Sequence, residues 1–393
     1  MKLSYIIVTH NRCESLIRTL GILRDTTPLL AGQWETWVVD NGSTDGTLDA
    51  IRQQFPNVHV IARPTNEGVW SRSYAFGSAE GEHVILLDDD SYPVGQAAIR
   101  SIDYLESNPE CAAVVGLVVL PDGSFEACAF PSVMLSGAVC IRRSVLLRVG
   151  GFRPEFFRKA GEYDLSFRIW EAGYRIERFE DIIYRHDKVT TGRNAGLAHR
   201  MDLRNNLILI ERYLPSRLRR EYRKDWILRY SAIAAFSGHA KSAKLARLEG
   251  MHWRFSEALS GRRTLSTETV ETIFELESQA GAIAAWAKRW HFRNVIIADF
   301  SKNLFATYGG CNRAGLQVLA IADPHPAFAG MNYRGTPIVN DADALTLKPD
   351  CVVISNVNPA QIDTAIQRFS SLSKLPILRL WHPTSLERLR QAA

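Results

Sequence analysis

The sequence has few cysteines and no long apolar runs. Its six cysteines are scattered, without a Cys-x-x-Cys spacing. This argues against a disulfide framework or a zinc site and is typical of a reducing cytoplasm. The first apolar run ends at Thr9, too early for a signal peptide, and no stretch approaches the length of a bilayer span. We therefore expect a cytoplasmic protein, and peripheral attachment to the inner membrane stays open.

The sequence also lacks a strong excess of charge of one sign. Its 47 basic and 42 acidic residues leave a formal net charge of +5. This balance is too weak to indicate nucleic-acid binding, so we expect no nucleic-acid partner. It is compatible with anionic small molecules or an anionic membrane surface.

Short β-rich runs alternate with helical segments up to about residue 90, which predicts βαβ units and a mainly parallel sheet. The predicted strands are Leu3 to Val8, Trp34 to Val39, Val58 to Ala62 and His83 to Leu87. Such sheets bind ligands at the carboxyl ends of their strands. The polar clusters Thr9-His10-Asn11-Arg12, Asp40-Asn41-Gly42-Ser43 and Asp88-Asp89-Asp90 fall at those ends.

The pattern changes twice further along the chain. Helical periodicity replaces the alternation after about residue 200, and a second α/β pattern begins after Trp290. We predict an α/β protein with a catalytic domain over 1–200, a helical extension over 201–290 and a small second α/β domain over 291–393.

The acidic triplet is the first candidate for chemistry. Carboxylates at i and i+2 beyond a strand end can both reach one hard cation, so Asp88 and Asp90 are candidate ligands for Mn²⁺ or Mg²⁺. A cation there could bridge the phosphates of a nucleotide diphosphate. A solvated turn is the alternative interpretation. Asp40, at the neighbouring strand end, could accept hydrogen bonds from a nucleotide base or ribose, and its loop is also typical of a strand-to-helix turn.

At this point the sequence resembles the family-2 glycosyltransferases. The matching segments keep the family's order and cover about residues 3 to 190, with a weaker extension through Arg204-Asn205. They are Tyr5 to Arg12, Val38 to Thr47, Asn66-Glu67-Gly68, Leu86 to Pro93, Ser136-Gly137-Ala138 with Gly150-Gly151-Phe152, and Gly161 to Arg168.

The resemblance implies a GT-A fold, an inverting transfer and a nucleotide-diphosphate-sugar donor. It places Asp88 and Asp90 at the metal, with Asp89 as the middle residue near the donor and His186 completing the metal or pyrophosphate site. The remaining donor-site residues that it implies are Thr9, Asn11 and Arg12 at the base pocket, Asp40 at the base or ribose, and Asn66 and Arg72 near the donor.

The catalytic base is less well defined, because Gly161 stands where the family usually has the first of two acids. Glu162 falls where the base is expected, and Asp164 is the second candidate. In an inverting transfer this carboxylate removes the proton of the acceptor hydroxyl. Both acids could instead simply favour the start of a helix.

Two later regions raise separate questions. Arginines and aromatics mix between Arg212 and Tyr230, which suggests either contact with anionic lipid headgroups or a basic helix that packs its aromatics inward. Residues 291 to 393 loosely resemble the Rossmann-like domains that accompany bacterial sugar-modifying enzymes. Asp299 to Leu304 lacks the Gly-x-Gly-x-x-Gly turn, so we predict no NAD binding and leave the domain's role open.

The sequence therefore predicts a metal-dependent hexosyl- or deoxyhexosyltransferase that acts on a glycan or lipid-linked acceptor, in the setting of bacterial surface polysaccharide synthesis. One alternative is an inactive sugar-nucleotide-binding assembly protein, which the glycine at position 161 would favour. The other is a nucleotidyltransferase, although Thr9-His10-Asn11-Arg12 lacks the glycines of a triphosphate-binding loop.

Overall fold

The computed structural model describes residues 1–189 and 194–392. They form two compact units: the described residues of 1–127, 132–193 and 383–393 make the first, and residues 128–131 and 194–382 make the second. No helix in the described ranges is long and apolar enough to cross a bilayer.

The first unit is built on a mixed sheet. Its strands are β1 (Leu3–Thr9), β2 (Trp34–Asp40), β3 (His59–Ala62), β4 (His83–Asp88), β5 (Ser91–Pro93), β6 (Cys111–Val119), β7 (Phe125–Glu126), β8 (Ala138–Arg142) and β9 (Arg175–His186). Its helices are α1 (Cys13–Thr26), α2 (Thr47–Gln54), α3 (Ser73–Phe76), α4 (Ala97–Ser107), α5 (Arg143–Val149) and α6 (Gly161–Glu171), together with the C-terminal helix described below. A 3₁₀ turn over Val69–Arg72 precedes α3.

The strand order of this sheet is β3-β2-β1-β4-β8-β6-β9-β5, with β7 paired to β6. Strands β1 to β4 run parallel, and their register sets Thr9 beside Asp40 and Val8 beside Asp88. The polar residues that follow these strands therefore share one edge of the sheet.

The hydrophobic core lies on both faces of this sheet. Along β1, the fully buried Leu3, Tyr5 and Ile7 belong to the cluster on one face, and Ile6 belongs to the cluster on the other. Successive strand residues point to opposite faces. A strand covered on both faces must therefore be apolar almost throughout, which explains the unbroken run at the start of the sequence.

The second unit combines a helical bundle with a smaller sheet. Its helices are α7 (Ala195–Tyr213), α8 (Ser216–Phe236), α9 (Ala240–Leu259), α10 (Thr267–Phe274), α11 (Leu276–Trp290), α12 (Leu304–Arg313), α13 (Asp341–Thr346) and α14 (Ile362–Leu372). Its strands are β10 (Asn294–Ala298), β11 (Gln317–Ala322), β12 (Asn332–Tyr333), β13 (Thr336–Val339), β14 (Cys351–Ile354) and β15 (Ile377–Arg379), in the order β12-β13-β11-β10-β14-β15. All but the edge strand β12 are parallel. The last helix, α15 (Leu386–Ala392), belongs to the first unit.

The two units differ from the three predicted domains, since the helical segment and the second sheet fall in one unit. Helix α8 packs on the second sheet: Trp226 Nε1 donates to the carbonyl of Lys302 at 3.0 Å, and the Tyr333 hydroxyl donates to Asp225 at 2.7 Å. Helix α15 returns to the first unit, where Asp181 accepts a hydrogen bond from the amide of Leu386 at 3.0 Å.

The Arg212–Tyr230 segment spans the end of α7 and most of α8. Tyr213, Tyr222 and Trp226 are at most 1% exposed. Arg212 pairs with Glu257, and Arg223 pairs with Glu211. These three aromatics pack inward, and contact of the segment with lipid headgroups stays a prediction.

Candidate active site at the carboxyl edge of the first sheet

The acidic triplet forms a tight connection between two strands. Strand β4 ends at Asp88, and β5 begins at Ser91. The Ser91 hydroxyl accepts a hydrogen bond from the Asp88 amide and donates one to the carbonyl of Gly137, each 2.8 Å long. Ser91 thus fixes the turn that presents the three carboxylates.

Asp88 is held by a fully buried arginine. Arg72 is 0% exposed, and it donates to Asp88 Oδ1 at 2.6 Å and to the carbonyl of Ser136 at 2.8 Å. A Cβ added to Gly137 would lie 2.8 Å from Asp88 Oδ2, so a side chain here would displace the Asp88 carboxylate. The sequence placed Arg72 near the donor; the structure shows it contacting Asp88.

Asp90 has one oxygen held by the backbone and by Arg12, and the other beside His186. Its Oδ2 accepts hydrogen bonds from the Val189 amide at 2.8 Å and from Arg12 at 3.2 Å. His186 Nε2 lies 3.2 Å from the buried Oδ1 and forms an ion pair with it. Among the described residues, Oδ1 has no well-aligned hydrogen-bond donor.

Strand pairing places His186 beside the acidic triplet. Strand β5 pairs antiparallel with β9, and the register sets Ser91 opposite His186. The other ring nitrogen, Nδ1, lies 2.7 Å from Glu126 Oε2. Burial lowers the pKa of His186, but the carboxylates of Asp90 and Glu126 outweigh it and raise that pKa to about 10.

Asp88, Asp90 and His186 form a group that could hold a divalent metal ion. Each offers one ligand atom, and these atoms all lie within 4.8 Å of one another. The oxygens of the two carboxylates suit Mn²⁺ or Mg²⁺. The imidazole nitrogen suits a transition metal. Since imidazole ligates only when that nitrogen is unprotonated, a metal would have to displace the proton from Nε2. Glu126 would then orient the ring from behind.

Asp89 turns away from this cluster. Its carboxylate accepts hydrogen bonds from Thr9 Oγ1 and from Arg12 Nη1, both 2.9 Å long. Burial raises the pKa of Asp89 to about 6, against the opposing charge of Arg12. Asp89, Thr9 and Arg12 therefore tie the end of β1 to the end of β4.

The neighbouring loop after β2 has two open oxygens. Asp40 Oδ2 accepts from the Ser43 amide at 3.0 Å, whereas the buried Asp40 Oδ1 has no partner among the described residues. The buried Asn41 Oδ1 is in the same state. Asn11, with a left-handed φ of 52°, accepts from the Thr44 amide at 2.7 Å and fixes this loop.

Asn66 shapes a turn of its own. Its Oδ1 accepts from the Gly68 amide at 2.9 Å, and Gly68 has a φ of 80°. A side chain at Gly68 would overlap the carbonyl of Phe157, which accepts from the Val69 amide at 2.9 Å. The glycine of the Asn66-Glu67-Gly68 motif is thus explained by the close approach of the Phe157 backbone.

The two candidate bases differ in their surroundings. Asp164 is fully buried and accepts two hydrogen bonds from Arg168, 2.6 and 3.0 Å long. Arg153 Nε lies 3.7 Å from the same carboxylate. Glu162 lies half-buried in the first turn of α6. A carboxylate committed to two arginines is a poor proton acceptor, which counts against Asp164 as the base.

Sequence reasoning missed three contributors to the site: Glu126, Ser91 and the close approach at Gly137. Glu126 lies on the hairpin of β6 and β7, whose connection contains the turn-forming residues Pro121-Asp122-Gly123. Nothing in the sequence indicated that this hairpin lies beside His186, because the two residues are 60 positions apart.

Comparison with known proteins agrees with this geometry. Residues 4–127 match the family model of glycosyl transferase family 2. An undecaprenyl-phosphate mannosyltransferase of Micrococcus luteus is 36% identical over 203 residues, covering 45% of this chain and 81% of that protein. A poly(ribitol-phosphate) beta-glucosyltransferase of Bacillus spizizenii is 31% identical over 113 residues, covering 28% of this chain and only 18% of that protein.

A crystal structure of Staphylococcus aureus TarS, residues 1–349 with UDP-GlcNAc, is similar in fold. Its TM-score is 0.50 at 15% identity, and the match covers 80% of this chain and 93% of that one. The fold and the acidic strand edge define a GT-A-type protein, as predicted. The chain belongs to glycosyltransferase family 2.

Proposed function

We propose that this chain is a metal-dependent, inverting glycosyltransferase that uses a nucleotide-diphosphate-sugar donor. Its acceptor would be a hydroxyl of a glycan or a lipid-linked saccharide in bacterial surface polysaccharide synthesis. The observation that carries the proposal is the cluster of Asp88, Asp90 and His186, whose ligand atoms all lie within 4.8 Å of one another at the edge of a nucleotide-binding type of sheet.

Asp88, Asp90 and His186 would hold the divalent cation. When bound, that cation would neutralise the diphosphate leaving group. Arg72 and Arg12 act through the carboxylates, since each donates to the triplet and fixes the direction of its oxygens. The contact of Arg72 with Asp88 supports this indirect role near the donor.

The open oxygens of Asp40 and Asn41 would take the nucleoside. Carboxylate and amide oxygens accept the N–H and O–H groups of a base or ribose. Thr9, Asn11, Asn66 and Asp89 support this pocket indirectly, by holding the loops around it. A site built this way selects for hydrogen-bond donors, because a ligand without them would leave buried oxygens unpaired.

Glu162 would be the general base. As the acceptor oxygen forms its bond to the anomeric carbon, the bond from that carbon to the diphosphate breaks, and the acceptor proton passes to the Glu162 carboxylate. The nucleoside diphosphate leaves with the bonding electron pair. Asp164, paired with Arg168, would instead fix the start of α6.

The setting is inferred from relatives. Their names specify undecaprenyl phosphate and poly(ribitol phosphate) as acceptors. Both are phosphate-bearing components of envelope synthesis, which supports an acceptor of this type here. The helical bundle and second sheet lie beyond the matched family segment, residues 4–127.

The test is calorimetric binding of UDP, dTDP and GDP, each with and without Mn²⁺. We expect one nucleotide to bind in a metal-dependent manner and to lose that binding in Asp90→Ala. Asp49→Ala is the matched control, since Asp49 is an exposed residue of α2 that pairs with the exposed Arg52 one turn further on.

Hydrolysis of the corresponding nucleotide sugar then separates the alternatives. Binding without hydrolysis or transfer would favour the inactive sugar-nucleotide-binding protein. Preference for a nucleoside triphosphate over all three diphosphates would favour a nucleotidyltransferase. If no nucleotide bound in any condition, the acidic triplet would be a turn and the proposal would fail.

A further inference from the structure

Helix α9 (Ala240–Leu259) leaves a row of apolar side chains in solvent. Leu248, Phe255 and Leu259 are 59%, 67% and 89% exposed, and Leu245 and Met251 are also exposed. Their spacing of three or four residues places all five on one side of the helix. Single exposed leucines are ordinary on protein surfaces, whereas an aligned set of this size marks an interaction surface. We call these five residues the α9 face.

The opposite side of α9 is fixed in the protein core. Ala246 is 0% exposed, and Gly250 packs so closely on Leu207 of α7 that a Cβ there would overlap it. Glu257, on the same inward side, pairs with Arg212 of α7 at 2.6 Å. The helix therefore cannot rotate to bury its apolar side without losing these contacts.

The charges around the α9 face are of one sign. Every exposed charged residue of α9 is basic; these residues are Lys241, Lys244, Arg247 and Arg254. The two acids of the helix are Glu249 and Glu257, and they pair with Arg200 and Arg212. Arg263, just beyond the helix, is also exposed. An apolar face with this border suits a partner that is both apolar and anionic.

We propose that the α9 face docks on an anionic lipid surface. A helix of 20 residues extends about 30 Å and lies flat in the headgroup region, with its apolar side chains inserted and its lysines reaching the phosphates. Each basic residue near such a surface adds attraction that salt weakens. This surface is separate from the Arg212–Tyr230 segment, whose aromatics form the core.

A second copy of the chain fits the α9 face less well. In a symmetric dimer the same patch meets itself, so the lysines and arginines of one helix would face those of the other. The described residues of α9 include no exposed acid to neutralise them. A membrane surface supplies the missing negative charge. The proposal does not depend on the proposed transferase activity, although it would bring the chain to where lipid-linked acceptors lie.

The experiment is co-sedimentation of the full chain with vesicles of phosphatidylcholine, with or without about one third phosphatidylglycerol. One variant carries Phe255→Glu and Leu259→Glu, and a second carries Lys241→Glu and Lys244→Glu. The matched control carries Leu372→Glu and Lys374→Glu, which change a leucine and a lysine at the end of α14. Circular dichroism and elution volume establish that each variant is folded.

We expect the wild type and the control to bind the anionic vesicles, to release them as salt rises, and to bind neutral vesicles weakly. Each α9 variant should lose at least about tenfold in partitioning. Equal binding by all four proteins would overturn the proposal. So would a wild-type dimer that fails to bind vesicles and dissociates in the α9 variants. Nucleotide-sugar hydrolysis without vesicles should be equal in all four, so its absence would count against the proposed function alone.

Discussion

At the carboxyl ends of the first sheet, Asp40 and Asn41 each keep one buried oxygen without a hydrogen-bond partner among the described residues. At the corresponding ends of the second sheet, Asp299 and Asn356 are buried but fully engaged. Asp299 accepts from Arg368 at 3.0 Å and from Asn356 at 3.1 Å. Both edges are polar and both follow parallel strands, yet only the first has unused hydrogen-bonding capacity among the residues described.

The second edge is closed by its own side chains. Arg368 also donates to Asp341 at 2.8 Å, and the hydroxyls of Ser301 and Ser355 are 2.9 Å apart. Burial raises the pKa of Asp299, and the charge of Arg368 opposes that rise. This network gives residues 299–303 a structural role. The absence of NAD binding there remains a prediction.

The difference shows how a site can be told from a scaffold. A buried polar atom without a partner costs free energy, so it persists where a ligand supplies the missing partner. A mutually satisfied cluster needs no ligand. Ligands bind at the carboxyl ends of parallel strands, so both edges are candidate sites. The edge whose buried polar atoms lack hydrogen-bond partners is the better candidate.

The largest expected effect is on turnover, and it tests whether the catalytic residues lie in the first unit alone. Glu162→Gln should lower kcat by about 10²- to 10⁴-fold, because the acceptor proton loses its base. Nucleotide affinity and thermal stability should be unchanged, since both sheet edges stay intact. Steady-state transfer and calorimetry on the same preparation measure this.

Asp164→Asn is the matched variant for Glu162. It leaves Arg168 and Arg153 without their buried carboxylate, so we expect lower stability, with residual activity in the folded fraction. If Asp164→Asn folds but loses all activity while Glu162→Gln stays active, then Asp164 is the general base and Glu162 is not.

The next effect compares the two edges directly by the same substitution. Asp90→Asn should weaken metal-dependent nucleotide binding by about a hundredfold or more, because it removes a charged ligand. Asp299→Asn should leave that binding unchanged. Equal losses in both variants would mean that the second edge also contributes to donor binding, and the comparison would break.

A smaller effect, on stability, is expected when the Arg368 contacts at the second edge are removed. Arg368→Met leaves Asp299 and Asp341 without their shared cation, which should cost about 2 kcal/mol, discounted because the arginine side chain is 25% exposed. Hydrogen exchange of the β10 and β14 amides should show this loss locally. Unchanged protection there would show that the network contributes nothing to stability.

Much of the fold could be predicted because its signals are local. Strands β1, β2 and β4 begin where predicted, and each extends one residue past the predicted end. Buried parallel strands are continuous apolar runs in the sequence, so short windows are enough to find them. The predicted α/β class and the glycosyltransferase resemblance are both confirmed.

The rest depends on pairing between distant residues. Strand β9 mixes charged and apolar residues, and its place is set by its pairing with β6 and β5. The inward packing of Trp226 depends on Lys302, 76 positions away. The roles of the site residues, Glu162 and the metal ligands included, remain predictions that the geometry supports.

The smallest effect sharpens the account of the first edge, because it concerns a residue that would not touch the metal. Glu126 lies 2.7 Å from His186 Nδ1 and holds the imidazole from behind. Glu126→Gln keeps a hydrogen-bond acceptor but removes the charge, so Mn²⁺ affinity should fall about tenfold. Glu177→Gln, on the same strand as His186 but paired with the exposed Arg175, is the control. Metal titration with and without nucleotide measures both variants. An unchanged affinity in Glu126→Gln would show that the backbone of β9 alone positions His186, and that the contact with Glu126 contributes only to packing.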